Sequence, residues 1–202
     1  MNAVLIRGGT VVRAEEVTHG ADVLVVTPLR ERGAREGPWR GGERGAIHPV
    51  GNDHYGYVLN QYEGCDDFAP TGPGIPGVET TLTVLHSAGV ASGRLQPRQL
   101  VRPLAWNPAR VFGPWPQRGE LASGLDADVV LYDPRPEWRL SAANGHGRAG
   151  CPPHRGLESR GGGVRTICRG RTVWKEGEVT GEAVWDRYLE RRPFEARLVG
   201  DS

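Results

Sequence analysis

Residues 119–134, GELASGLDADVVLYDP, and residues 164–179, VRTICRGRTVWKEGEV, decide how this chain is read. In the first, a polar turn with Asp126 and Asp128 runs into an apolar group, which predicts a strand over 128–132. In the second, β-branched and aromatic residues flank Gly170 and stop at Gly177, which predicts a hairpin that turns near Gly170 and closes at Gly177. Residues 135–163 between them read as loop.

Outward from this β region the pattern changes. Val78, Leu82 and Leu85 fall at i, i+4 and i+7, with Glu79 in the first turn and Gly89 as a stop, which predicts a helix. A second helical stretch, LQPRQLVRPLAW, places Leu100, Val101 and Leu104 on one side, with Pro103 expected to kink or break it. Asn107-Pro108 reads as an N-cap with proline at N1, and Gly113 ends that turn of helix. Toward the N-terminus, VLI, TVV and DVLVV separated by Gly8-Gly9 and a polar stretch read as three short strands. Residues 27–46 have no period and no apolar face, and are read as a disordered or loosely attached junction. The last stretch, EAVWDRYLERRPF, sets Val184, Tyr188 and Leu189 near one side and predicts a short helix.

Composition bounds the architecture. With 202 residues the chain cannot hold a complete (β/α)₈ barrel, which takes about 250. Glycine (30) and proline (16) are about twice as frequent as in ordinary domains, so turns should abound. A formal net charge of +1 gives no field to attract nucleic acid or an anionic membrane, and no apolar run approaches the ~20 residues of a membrane span. Three widely spaced cysteines (Cys65, Cys151 and Cys168) and an N-terminus without an apolar leader point to a reduced, cytoplasmic protein.

Several local patterns have ordinary structural explanations. Asp126 and Asp128 organise the turn into the sheet. Cys151-Pro-Pro-His154 has half of a zinc-site spacing, and no second Cys/His pair completes it. The six tryptophans lack the basic groove that would make them stacking platforms for bases.

In order along the chain, Asn107-Pro108-Ala109-Arg110-Val111-Phe112-Gly113, residues 119–128 (GELASGLDAD), Asp133-Pro134 and residues 164–170 (VRTICRG) resemble the C-terminal signature of the dihydropyrimidinase/hydantoinase-type cyclic amidohydrolases of the amidohydrolase superfamily. Gly51-Asn52-Asp53-His54 resembles that family's Asp-His at the end of the last barrel strand. Residues 73–79, PGIPGVE, resemble the Gly-rich loop before the following helix, and residues 4–12, VLIRGGTVV, the N-terminal strands. The resemblance implies a truncated member, with most of the TIM barrel missing. The implied fold is mainly β with some α: a composite β-sandwich from the N- and C-terminal segments plus a barrel remnant of last strand and helices.

The organisation expected on this basis is 1–26 and 114–179 as the two parts of the sandwich, 27–46 as junction, 47–113 as barrel remnant and 180–202 as C-terminal helix and tail. By resemblance the family hydrolyses C–N bonds in cyclic amides or ureides with a divalent metal pair, zinc, held by His-x-His, a bridging carboxylated lysine, two further histidines and an Asp. Asp53 matches that Asp, the metal-binding and catalytic position. Pro73 and Gly74 match the place where backbone groups meet the substrate. None of the six histidines forms His-x-His, and the sole lysine, Lys175, lies in the C-terminal hairpin. This chain is therefore expected to be inactive alone. The alternatives are a non-catalytic assembly module, pairing with itself or with a full-length paralogue, and a non-functional gene remnant.

Overall fold

The computed structural model describes residues 4–12, 17–25, 32–56, 58, 74–148, 154–185 and 187–193; over 4–12, 17–25 and 32–35 it describes the backbone alone. The fold is mixed α/β with antiparallel sheets.

Four strands, β3 (Val129–Arg139), β4 (Glu158–Cys168), β5 (Arg171–Lys175) and β6 (Glu178–Val179), form a meander in sequence order. Both tight connections have two residues at positive φ: Arg169 (47°) with Gly170 (79°), then Glu176 (50°) with Gly177 (92°). Their twist matches that of the strands they join, which is why Arg-Gly and Glu-Gly stand there. The expected hairpin and its end at Gly177 are both present. The strands reach further than the sequence predicts: β3 continues to Arg139 and β4 begins at Glu158, inside the stretch read as loop. Register shifts after Leu131 and after Asp133 let β3 pass its prolines.

Register sorts the sheet's two faces. Val130, Thr166, Trp174 and Val179 stand in one cross-strand row; Leu131, Arg165, Lys175 and Glu178 stand in the next. Successive strand residues point to opposite sides, so the first row builds an apolar face and the second a mixed polar one.

A helical run over 78–90 covers part of the apolar face. It opens as 3₁₀ helix (Val78–Thr80), passes through α2 (Thr81–Leu85) and widens to a π turn (His86–Val90). His86 is buried against β4, its Nδ1 2.9 Å from the Arg160 carbonyl and its ring 4.7 Å from that of Tyr132. Arg160 N–H donates to Ser87 Oγ at 3.0 Å.

The second helical run is unbroken. α3 (Pro97–Val101) leads through a π turn (Arg102–Trp106) into α4 (Asn107–Val111). The expected break at Pro103 is absent because the wider i→i+5 turn accommodates a residue without an N–H. Asn107 is likewise not an N-cap: Trp106 before it is helical, and Asn107 Nδ2 donates to the His48 carbonyl at 2.9 Å. Gly113 (φ 87°) does end the run, in close approach to the backbone of Arg192.

Two readings at the ends are corrected. The stretch taken as a disordered junction contains a helix, α1 (Arg32–Glu43). Its stability is tertiary: a Cβ added at Gly89 would lie 3.0 Å from the Trp39 ring, Arg94 meets Glu36 through two bonds of 2.6 and 3.0 Å, and Gln99 Nε2 donates to the Glu43 carbonyl. The expected C-terminal helix is absent from residues 180–185 and 187–193, where Val184 has φ 65° and both Val184 and Tyr188 are exposed. Trp185 is held by Arg169 and Arg171 instead of by a helical face.

At the N-terminus, two of the three expected strands merge. β1 (Val4–Val12) runs through Gly8-Gly9 with irregular register there and pairs with β2 (Val17–Val25). This pair is a sheet of its own, with no hydrogen-bonded link to β3–β6. The core is thin: among the described residues the buried hydrophobic side chains are Leu100, Ala109 and Leu140. No helix among the described residues is long and apolar enough to cross a membrane.

Candidate functional site

Asp53 lies in an exposed extended segment, 51–56. Its carbonyl accepts the Ile75 N–H at 2.8 Å, and the Ile75 carbonyl accepts the Tyr55 N–H at 3.3 Å. Gly74 makes this pairing possible. It has φ 83°, and a Cβ there would collide with the Asp53 carbonyl. Two of the sequence-predicted positions, Asp53 and Gly74, are thus brought together, through backbone atoms. Pro73 lies outside the described residues.

The segment is also docked on the start of the 78–90 run. Asn52 Nδ2 donates to Thr81 Oγ1 at 2.9 Å, and Val78 N–H donates to His54 Nδ1 at 3.3 Å. Thr80 and Thr81 hydroxyls turn back onto the Gly77 carbonyl, at 3.2 and 2.9 Å, and fix the first turn. His54, accepting through Nδ1, carries any ring proton on Nε2. Sequence reasoning grouped Asn52 and His54 with Asp53; the structure assigns them to anchoring the segment.

The resemblance implies a divalent metal pair, zinc, for the family, and this chain, lacking His-x-His and the bridging lysine, is not expected to bind it. A catalytic zinc usually takes three protein ligands. Among the described residues no group of three His, Cys, Asp or Glu side chains is close enough to hold a metal ion. The histidines are dispersed: His54 on Val78, His86 on the sheet, His146 on Glu79, and His154 at a site where burial pushes its ring below the ordinary range. Lys175 sits at the end of β5, 3.7 Å from Glu176. Among the described residues the surroundings of Asp53 do not fit a metal pair, and no reaction step is drawn through one. Cys151 and Cys65 lie outside the described residues.

One cluster escaped the sequence reading. His146 N–H and Nδ1 meet the two oxygens of Glu79 at 2.9 and 2.5 Å, and its Nε2 lies 2.8 Å from the Gly177 carbonyl. The residues are 67 and 31 positions apart, too far for any local pattern to pair them. Behind them is a cavity of about 700 Å³ between the 78–90 run and the apolar sheet face, lined among others by Leu82, Tyr132, Trp138 and Trp174.

The two acids of the GLDAD stretch are structural, as expected. Arg118 bonds Asp126 at 3.2 Å and Asp128 at 2.9 Å, and Asp128 accepts the Arg169 N–H at 2.7 Å, which ties the strand β3 approach to the β4–β5 turn. Arg110, buried, stacks between Trp106 and Trp115.

No family model matches the chain. A D-phenylhydantoinase of Escherichia coli O81 (strain ED1a) is 37% identical over 184 residues, 90% of this chain and 40% of that protein. Among solved structures, D-hydantoinase from Bacillus sp. AR9 superposes with a TM-score of 0.79 at 35% identity, over 83% of this chain and 37% of its own. This chain is a partial member of the hydantoinase family. A D-hydantoinase (dihydropyrimidinase) from Thermus sp. matches over the same share with a TM-score of 0.77 at 31% identity, and L-hydantoinase (dihydropyrimidinase) from Arthrobacter aurescens with 0.74 at 32%. The chain spans about 40% of the length of the curated relatives it matches, which agrees with a truncated member.

Proposed function

We propose that this chain descends from a metal-dependent hydrolase of C–N bonds in cyclic amides or ureides and does not catalyse that reaction alone. One observation carries the reading: Asp53 is seated by its backbone and by Asn52 and His54 in an ordered loop, yet no second and third ligand accompany it among the described residues. An exposed carboxylate with no partner ligands among the described residues offers a general base at most, since directing a hydroxide at an amide carbon takes a metal held by further protein ligands. Pro73 and Gly74 would be the vestige of the substrate-facing loop.

The test is direct. Purified full chain is assayed for bound zinc by mass spectrometry and for ring opening of hydantoin and dihydrouracil. No turnover and less than stoichiometric zinc are expected; stoichiometric zinc with turnover overturns the reading.

Exposed apolar side chains favour a second reading, that of an assembly module which pairs with itself or with a full-length amidohydrolase. Val130 on the sheet face and Val179 at its edge are 48% and 69% exposed, and Val78 and Val101 are 57% and 55% exposed. Val130 and Val179 belong to one cross-strand row, and exposed apolar side chains so placed are of the kind interfaces cover. Mixing with an intact hydantoinase and sizing by chromatography tests it; a monomer that never co-elutes counts against it. A gene remnant would show neither activity nor partner.

The finer fold reading is a composite sandwich joining β1–β2 to β3–β6, beside the last strand and helices of a barrel. Its support is the antiparallel character of both sheets. Deleting residues 1–26 would abolish cooperative unfolding under that reading, and an unchanged unfolding curve would remove it. A cytoplasmic location is part of the same proposal, tested by cell fractionation.

A further inference from the structure

We propose that Glu79, His146 and Gly177 form a proton-operated clasp, which fastens the start of the 78–90 helical run to the β5–β6 end of the sheet. His146 Nδ1 faces a carboxylate oxygen at 2.5 Å and Nε2 faces a carbonyl oxygen at 2.8 Å. Both partners only accept. A neutral imidazole has one N–H and can satisfy one of them; the imidazolium has two and satisfies both. The observed geometry is that of the charged ring.

The clasp is held from its own loop as well. His146 N–H donates to the other Glu79 oxygen at 2.9 Å, so ring and backbone grip one carboxylate. Four residues earlier the loop is stiffened by the 3₁₀ turn Ala142–Asn144, where Asn144 Oδ1 accepts from Ser141 N–H at 2.7 Å and from the Ser141 hydroxyl. The three segments that meet at His146 all line the cavity behind it. The same helix start receives Asn52 and His54, so the clasp links the sheet to the segment that carries Asp53.

The electrostatic setting has the matching sign. The Glu79 carboxylate and then the Gly177 carbonyl hold the His146 imidazolium above the ordinary histidine range. Glu79 is the titratable group on the helix start. Lys175, Glu176 and Glu178 flank Gly177 on the hairpin, and Arg148 follows on the loop. A histidine whose folded pKa is raised contributes its full stabilisation below its unfolded value of about 6.5 and loses it as pH rises through the folded value. The clasp is therefore closed below about pH 6.5 and opens as pH rises through the raised folded value.

Nitrogen NMR of the full chain with ¹⁵N-labelled histidine reads the ring directly. Both His146 nitrogens should be protonated at pH 6, with a midpoint above 6.5 that returns toward the ordinary range in Glu79→Gln. In parallel, hydrogen exchange across residues 174–180, corrected for intrinsic rates between pH 6 and 9, should rise several-fold above the midpoint. In His146→Gln it should be fast and flat. A single protonated nitrogen at pH 6 overturns the clasp, as does the same pH profile in His146→Gln. Should that variant fail to fold, the ring titration of the unmodified chain and of Glu79→Gln decides.

Discussion

Substituting Gly161 by alanine sets two effects against each other at one position, and Gly156 supplies the control. Both glycines have positive φ, 89° and 83°. A Cβ at Gly156 would meet nothing within 4 Å, whereas at Gly161 it would lie 2.6 Å from Tyr132 Cε1, 2.7 Å from its hydroxyl and 2.9 Å from His86 Cε1. Gly156→Ala thus isolates backbone strain, about 1 kcal/mol. Gly161→Ala adds overpacking, about 1–3 kcal/mol, because neither ring can retreat freely. His86 is tied to the Arg160 carbonyl, and the Gly161 carbonyl itself accepts the Trp138 indole N–H at 2.9 Å. The total, about 2–4 kcal/mol, is a large part of the 5–15 kcal/mol that holds a domain folded. Urea unfolding followed by tryptophan fluorescence measures both variants. If they lose equal stability, the close packing of helix run, Tyr132 and β4 described above is wrong.

Other consequences can be measured in the same way. Leu100→Ala removes one of the few buried hydrophobic side chains and should cost about 2–4 kcal/mol in urea unfolding, near 0 if the site is solvated. Asn107→Ala leaves the His48 carbonyl without its donor and should cost about 1–2 kcal/mol. Asp133, held by two side-chain bonds and a backbone bond from Arg135, titrates at about 2; its stabilising effect is present above the ordinary 3.8 and is lost as pH falls toward 2. Carboxyl-carbon NMR should show that midpoint return toward 3.8 in Arg135→Ala. Asp53→Asn, at an exposed carboxylate, should change stability by less than about 0.5 kcal/mol and leave zinc content unaltered; a drop in zinc would show that a metal site exists.

How much could be read without coordinates depended on the range of the interactions. The β4–β5 turn was legible because a two-residue hairpin needs glycine at a set place, and Gly170 advertises it; Gly177 was read as the close of that hairpin, and the short strand that turns back after it was not. The start of the 78–90 run was legible from spacing. Asp53 was found through the ordered likeness of its surroundings to a family, and the later comparisons agree with that family.

What failed locally failed for tertiary reasons. Pro103 looked like a kink or break, but a π turn absorbs it; residues 32–43 lack a helical stripe, yet Trp39, Glu36 and the Glu43 carbonyl find partners at Gly89, Arg94 and Gln99. Val184, Tyr188 and Leu189 had the spacing of a helical face, and Val184 and Tyr188 stand exposed with no core to receive them. Sequence by itself determined the family, the hairpin at Gly170 and the absence of His-x-His and of a second lysine, because these are properties of identity and near spacing. Only the tertiary structure decided that Asp53 stands without metal partners among the described residues, and that His146 has two acceptors for its ring, because both depend on which distant groups the fold brings within about 3 Å.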